Sequence, residues 1–231
     1  MRFPVEWAAI EPQKGEYDDA YLDAVTQRIQ WLTDAGLMVV LDMHQDPYGE
    51  GFGHNGAPVW TCSQAHYDAV VSTTRWFANY ANEHVIACYD QSRASDELQN
   101  HYAEAWRRLA ARLSAFSSVV GFDVLNEPYW GSLGPASFDE GPLTVLYKRV
   151  VEAVREEAPD WVAFLEPSAS RSLGFTTHLE AFPLRDVMYA PHSYDSEAEG
   201  GGGLPPKGAR RCLVTLTYSS VRRDGWTRAC G

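Results

Sequence analysis

The 231-residue sequence predicts an α/β fold, a partial TIM (β/α)8 barrel of about five to six parallel strands with intervening helices. Three observations predict it. Five short apolar segments recur along the chain, each ending in a polar or ionisable cluster, and their non-alternating runs read as parallel strands buried on both faces. Segments with helical spacing separate them. The polar clusters follow the C-terminal ends of successive strands, as in a barrel, whereas an open doubly wound sheet gathers its ligand groups at one switch point.

The first strand lies within Met1 to Trp7. Asp18 or Asp19 then caps a helix whose Leu22, Val25, Ile29 and Leu32 repeat at three and four residues, and Gly36 stops it. Leu37 to Leu41 forms the second strand and ends in Asp42-Met43-His44-Gln45-Asp46. The loop from Pro47 to Ser63 is long for a βα connection and holds four glycines and Trp60, so it reads as one wall of a substrate cleft. Helices are expected over about 64–80, 95–116 and 142–157. Val119 to Leu125 leads into Asn126-Glu127-Pro128, Trp161 to Leu165 into Glu166-Pro167, and Asp186 to Ala190 into Pro191-His192-Ser193-Tyr194-Asp195. No strand is followed by a glycine-rich phosphate loop, which removes the usual nucleotide-binding folds.

The two ends break the pattern. Residues 1–197 read as the barrel fragment and carry a net charge of −16, while residues 198–231 carry +4 with four consecutive glycines and paired arginines. This basic tail supplies no further strand and helix units and is not expected to join the fold. Met1 to Val5 looks like the second half of a strand, so the barrel is expected to be clipped at both ends.

At a net charge of −12, nucleic acid and anionic surfaces are partners that charge repulsion disfavours. No apolar run reaches the roughly 20 residues of a spanning helix, and the start has none of the sections of a signal peptide, so localisation is left unassigned. Cys62 and Cys88 are a conceivable disulfide pair, and no C-x-x-C motif suggests a metal knuckle or a redox dithiol. A monomer without cofactor or metal is expected.

Four motifs in order, Arg2-Phe3-Pro4-Val5-Glu6-Trp7 with Ile10-Glu11-Pro12, Leu41 to Asp46, Asn126-Glu127-Pro128 and Ala190 to Asp195, resemble glycoside hydrolase family 5. The D-M-H-Q-D stretch, followed by Gly56-Ala57-Pro58 and Trp60, is most similar to the endoglycoceramidase-like members. The resemblance covers residues 1 to about 195. It implies a retaining β-glycosidase acting on a β-glucoside or glycosphingolipid.

Glycosidic cleavage needs a proton for the leaving oxygen and negative charge against an oxocarbenium-like transition state, which two carboxyl groups provide. Glu127, at the end of a buried strand, is the candidate acid/base, expected to have its pKa raised by partial desolvation. The resemblance assigns Asn126 a contact to the sugar 2-hydroxyl and makes His44 and Asp46 sugar ligands. His192 and Tyr194 match the family's His-x-Tyr, and Arg2 matches the arginine that keeps the nucleophile ionised. Trp60 is the candidate stacking platform, ahead of Trp7 and Trp130. His44, Asp46 and His192 could also be read as metal ligands, but no H-x-H or H-E-x-x-H spacing supports that. The family's nucleophile is a second Glu, usually before Phe-Gly, and nothing after Tyr194 matches it. Glu166 reads as a poor substitute. The chain is therefore expected to be inactive, with a non-catalytic sugar-binding barrel as the alternative.

Overall fold

The computed structural model describes residues 1–71, 76–192 and 194. The tail from 198, Glu197, Asp195 and Ser193 lie outside the described residues. Five strands, β1 (Arg2–Val5), β2 (Val39–Met43), β3 (Val119–Asp123), β4 (Val162–Leu165) and β5 (Val187–Tyr189), form one sheet in the order β1-β2-β3-β4-β5. All four pairings are parallel, with Phe3 opposite Leu41, Leu41 opposite Phe122 and Phe122 opposite Ala163. Every strand lies beside its predecessor, so among the described residues the sheet has no switch point and the partial barrel expected from the sequence is what forms.

The helices are α1 (Trp7–Ile10), α2 (Asp19–Asp34), α3 (Gln64–Ala69), α4 (Glu83–Ala94), α5 (Asp96–Leu113), α6 (Pro135–Phe138) and α7 (Thr144–Glu157). The Asp18 carboxylate accepts Tyr21 N–H at 2.9 Å and starts α2. Gly36, at φ +74°, ends it, and the Leu37 N–H returns to Leu32 O at 3.0 Å. That turn leaves Leu37 and Met38 exposed, so β2 begins at Val39 rather than at Leu37.

The helix expected over 64–80 is replaced by two pieces, α3 and a 3-10 segment Trp76–Ala81. The sequence reading also missed α4. Asn82 caps it by accepting His84 N–H at 2.9 Å, yet only Val85 and Cys88 of its twelve residues are buried, too few to make an apolar stripe. Ser95 ends α4 and caps α5 through Leu98 N–H at 3.2 Å. The disulfide considered from the sequence forms between Cys62 and Cys88.

The core sits between the sheet's outer face and α2, α5 and α7. Leu41, Phe122, Ala163 and Leu165 are fully buried there, against Trp106, Leu109, Tyr147 and Val150. Two of these large side chains also fix the chain where it leaves the sheet. Trp106 Nε1 and the Tyr102 hydroxyl both donate to Val124 O, at 3.0 and 2.7 Å, and the Tyr147 hydroxyl donates to Glu166 O at 2.5 Å. Each donor satisfies a carbonyl that has passed beyond the strand ladder. No helix among the described residues is long and apolar enough to cross a membrane.

Candidate active site

Side chains alternate across a strand, so while Leu41, Phe122 and Leu165 turn outward, Arg2, Asp42, Asp123 and Glu166 share the inner face near the strand ends. Arg2 is the hub. Its Nη2 donates to Asp42 Oδ1 at 3.0 Å, Asp123 Oδ2 at 2.9 Å, Asn126 Oδ1 at 3.0 Å and Glu166 Oε1 at 2.8 Å. Burial opposes its charge, but the charges of Asp123, Asp42 and Glu166 outweigh burial and raise its pKa. The Asp123 carboxyl moves well above the carboxylate range, through burial first and the charge of Glu166 second.

His44 is held on both sides, with Nδ1 3.0 Å from Asp42 Oδ2 and Nε2 3.1 Å from Asp46 Oδ2. An imidazole can donate from both nitrogens only when protonated, and hydrogen bonds to Asp42 and Asp46 push its pKa up to about 10. The Tyr80 hydroxyl reaches Asp46 Oδ1 at 3.3 Å.

Glu127 stands just past β3 with φ at +43°, an uncommon backbone conformation for a side-chain-bearing residue. Its Oε1 lies 2.8 Å from His192 Nδ1 and accepts the Tyr194 hydroxyl. His192 Nε2 in turn lies 2.9 Å from Glu166 Oε1. Burial alone would lower the His192 pKa, yet bonds to Glu127 and Glu166 raise it to about 10. The reverse happens to Glu127. Burial pushes its carboxyl up as the sequence reading expected, but His192, Tyr194 and the Arg2 charge together hold it below the ordinary value, so that expectation is corrected.

Seven of the eight residues singled out from the sequence thus belong to one unbroken chain of polar contacts. It runs Tyr194, Glu127, His192, Glu166, Arg2, Asp42, His44, Asp46, with Asn126 joined at Arg2. Asn126 is only 3% exposed, and its Nδ2 also donates to Gln45 O at 3.1 Å. Trp60 is the exception. Its Nε1 donates to Glu11 O at 3.0 Å and its ring packs edgewise on Trp7 and His101, contacts that lie in the wall and none of them in this network. Trp60 is partly buried, whereas Trp7 is buried and donates to Glu11 Oε2 at 2.9 Å. The aromatic group beside Glu127 is Tyr129, with Tyr80 at 5.0 Å, Tyr89 at 5.2 Å and Trp130 at 4.4 Å between ring centroids.

Sequence reasoning passed over Asp42, Asp123, Gln45 and Tyr129 and undervalued Glu166. Asp42 and Asp123 interrupt otherwise apolar strands, and a charge in that position was the available signal. Asp123, Glu166 and His192 could each offer a donor atom within 4.8 Å of the others, a spacing open to a cation. Arg2 Nη2 is already hydrogen-bonded to two of the three, and its fixed charge does there what a metal would do.

A family model, Cellulase (glycosyl hydrolase family 5), matches residues 1–204. The chain belongs to glycosyl hydrolase family 5. Within that family it is 29% identical to endoglycoceramidase I of Rhodococcus hoagii over 96% of this chain and 48% of that relative. It is 29% identical to a glucosylceramidase of Rhizopus delemar over 58% of this chain and 25% of that relative. Among solved structures, endo-glycoceramidase II from Rhodococcus sp. in complex with ganglioside GM3 superposes with a TM-score of 0.78 at 33% identity, over 87% of this chain and 50% of that one. The chain spans about half the length, or less, of these family 5 relatives.

Proposed function

We propose that this chain carries the acid/base part of a retaining β-glycosidase for O-glycosyl bonds, with a β-glucoside or glycosphingolipid-class substrate. One observation carries the reading. Glu127 Oε1 sits between His192 Nδ1 and the Tyr194 hydroxyl at the ends of the strands, beside a fixed cluster of opposite charges. A carboxyl so held is aimed at one point in the cleft, which general acid catalysis requires. His44, Asp46 and Asn126 line the same rim as hydroxyl partners, and Arg2 supplies the positive charge beneath. The names of the endoglycoceramidase and glucosylceramidase relatives support the glycolipid class, and a lactosyl-enzyme intermediate of the Rhodococcus enzyme supports retention.

Retention needs a second carboxylate about 5 Å from the first, to attack the anomeric carbon. Among the described residues Glu166 is the neighbouring carboxylate, but it is 1% exposed and both oxygens are engaged, Oε1 by Arg2 and His192, Oε2 by the Glu127 N–H. It orients other groups and does not attack. Burial pushes the Glu127 carboxyl up, but His192, Tyr194 and Arg2 hold it below the ordinary value, so it rests as the carboxylate, the form that acts as base. The described residues therefore supply the acid/base and sugar contacts of the double displacement but not its nucleophile, and read as a sugar-binding surface.

Kinetic assay of the chain on an aryl β-glucoside, with calorimetric titration of the same glucoside, tests this. Binding without turnover is the expected result. Turnover abolished by Glu127→Gln would overturn the inactivity and keep the acid/base role, whereas turnover indifferent to Glu127→Gln would sink that role.

A further inference from the structure

On the helix side of the sheet, behind the turn that carries Glu127, lies a cavity of about 100 Å³. Trp7 of α1, Leu98 and Tyr102 of α5, Leu125 just past β3, Phe138 of α6 and Leu146 of α7 form its apolar wall. Gln45, whose amide donates to Glu127 O, borders it too.

Several polar side chains of this wall are already engaged. The Tyr102 hydroxyl donates to Val124 O at 2.7 Å, Trp7 Nε1 to Glu11 Oε2 at 2.9 Å, the Tyr89 hydroxyl to Gln45 Oε1 at 2.6 Å and Arg93 Nη1 to Trp130 O at 2.9 Å. Gln99, also in the wall, differs. It is 9% exposed, and its Nε2 donates to Arg93 O at 2.7 Å, which fixes the amide and leaves Oε1 as the acceptor. That oxygen is buried and has no hydrogen-bond partner among the described residues.

An apolar pocket with a few placed polar groups is the usual form of a small-molecule site. A buried acceptor left without a donor is costly, so this one selects a ligand that donates. An ordered water needs two to four polar partners, more than an apolar wall with one unsatisfied buried side-chain oxygen provides. A dry cavity of about 150 Å³ admits benzene, so the smaller volume here suits a body of about four carbon atoms. We propose that the cavity binds a small aliphatic alcohol of about that size, its hydroxyl donating to Gln99 Oε1 and its chain lying against Leu98, Phe138 and Leu146. The site does not depend on the glycosidase reading, since none of these four residues belongs to the polar network around Glu127.

The test compares n-butanol with its isomer diethyl ether, which has the same atoms but no donor, each titrated into the full chain and followed in methyl ¹³C spectra. Butanol should shift the Leu98, Leu125 and Leu146 methyl signals saturably and show nuclear Overhauser contacts to them. The ether should bind about fivefold more weakly, the worth of one net hydrogen bond. Gln99→Met, which keeps the bulk and removes the amide oxygen, should erase that difference, and Leu146→Trp, which fills the cavity, should abolish binding of both. The isomer comparison on the unaltered chain stands even where a variant fails to fold. Absence of saturable shifts at these leucines, equal affinity for the two isomers in the unaltered chain, or a preference for butanol that survives in Gln99→Met would each overturn the proposal.

Discussion

Glu166 accepts the Glu127 N–H on Oε2 at 3.0 Å and faces His192 Nε2 with Oε1 at 2.9 Å, so one buried carboxylate fixes both the backbone of Glu127 and the imidazole against its carboxyl. Gln45 closes the arrangement from the other side. Its Nε2 donates to Asn126 O at 2.8 Å and Glu127 O at 2.9 Å, while its Oε1 accepts the Tyr89 hydroxyl at 2.6 Å. The left-handed φ of Glu127 is thus held at both its N–H and its carbonyl. Strain of this kind persists only where the surroundings over-determine it.

Replacing Gln45 by Leu should cost about 2–4 kcal/mol, because it takes the donor from the Asn126 and Glu127 carbonyls and the Gln45 acceptor from the buried Tyr89 hydroxyl. Urea unfolding would measure it. A loss under about 0.5 kcal/mol, the usual size for a surface change, would mean that Gln45 does not hold the turn.

Arg2→Met should be more damaging, about 3–5 kcal/mol, since it strands Asp42 and Glu166 on the inner face without their partner and takes the donor from Asp123. The same unfolding experiment applies. Recovery of stability in an Arg2→Met, Asp42→Asn double variant would identify charge, not packing, as the cause.

Glu127 should titrate below the ordinary glutamate value in carboxyl ¹³C spectra. Its upward push comes from burial and its downward pull from His192 and Tyr194, so Tyr194→Phe should raise the titration midpoint. A midpoint that stays put would show that the phenol contributes nothing to holding the charge.

The pH dependence of stability has a definite sign. The folded His192 pKa is raised from 6.5 to about 10, so its contribution is complete below pH 6.5 and lost as pH rises toward 10. Glu127, lowered from 4.5, contributes fully above that pH and loses its contribution on acidification. Between pH 7 and 9 the melting temperature should therefore fall less steeply in His192→Gln than in the unaltered chain. Parallel slopes would count against the raised imidazole.

Removing the Cys62–Cys88 bridge, which closes a separation of 26 residues, should cost about 3 kcal/mol by chain entropy. A Cys62→Ala, Cys88→Ala double variant compared in denaturant would check this, with a negligible difference as the contrary outcome.

The strand pattern was legible in the sequence because burial on both faces leaves a local trace, an apolar run closed by a polar cluster, and β1 to β5 fall within or beside those runs. The helices α2, α5 and α7 were legible for the same reason, while α4 presents too few buried side chains to leave a stripe. Asp42 and Asp123 looked like punctuation within strands until the register set them on the same face as Arg2.

Amino-acid order alone determined the alternation of strand and helix, the parallel sheet, and the motifs that carry Glu127, His44 and His192. Tertiary structure alone decided that Arg2 sits at the centre, that Glu166 orients, that Trp60 packs in the wall, and that the Glu127 pKa falls. The physical reason is range. Burial patterns repeat within a few residues, whereas Glu166 meets Glu127 across 39 residues and Arg2 across 164, and the balance of charge against desolvation exists only once those distances are set.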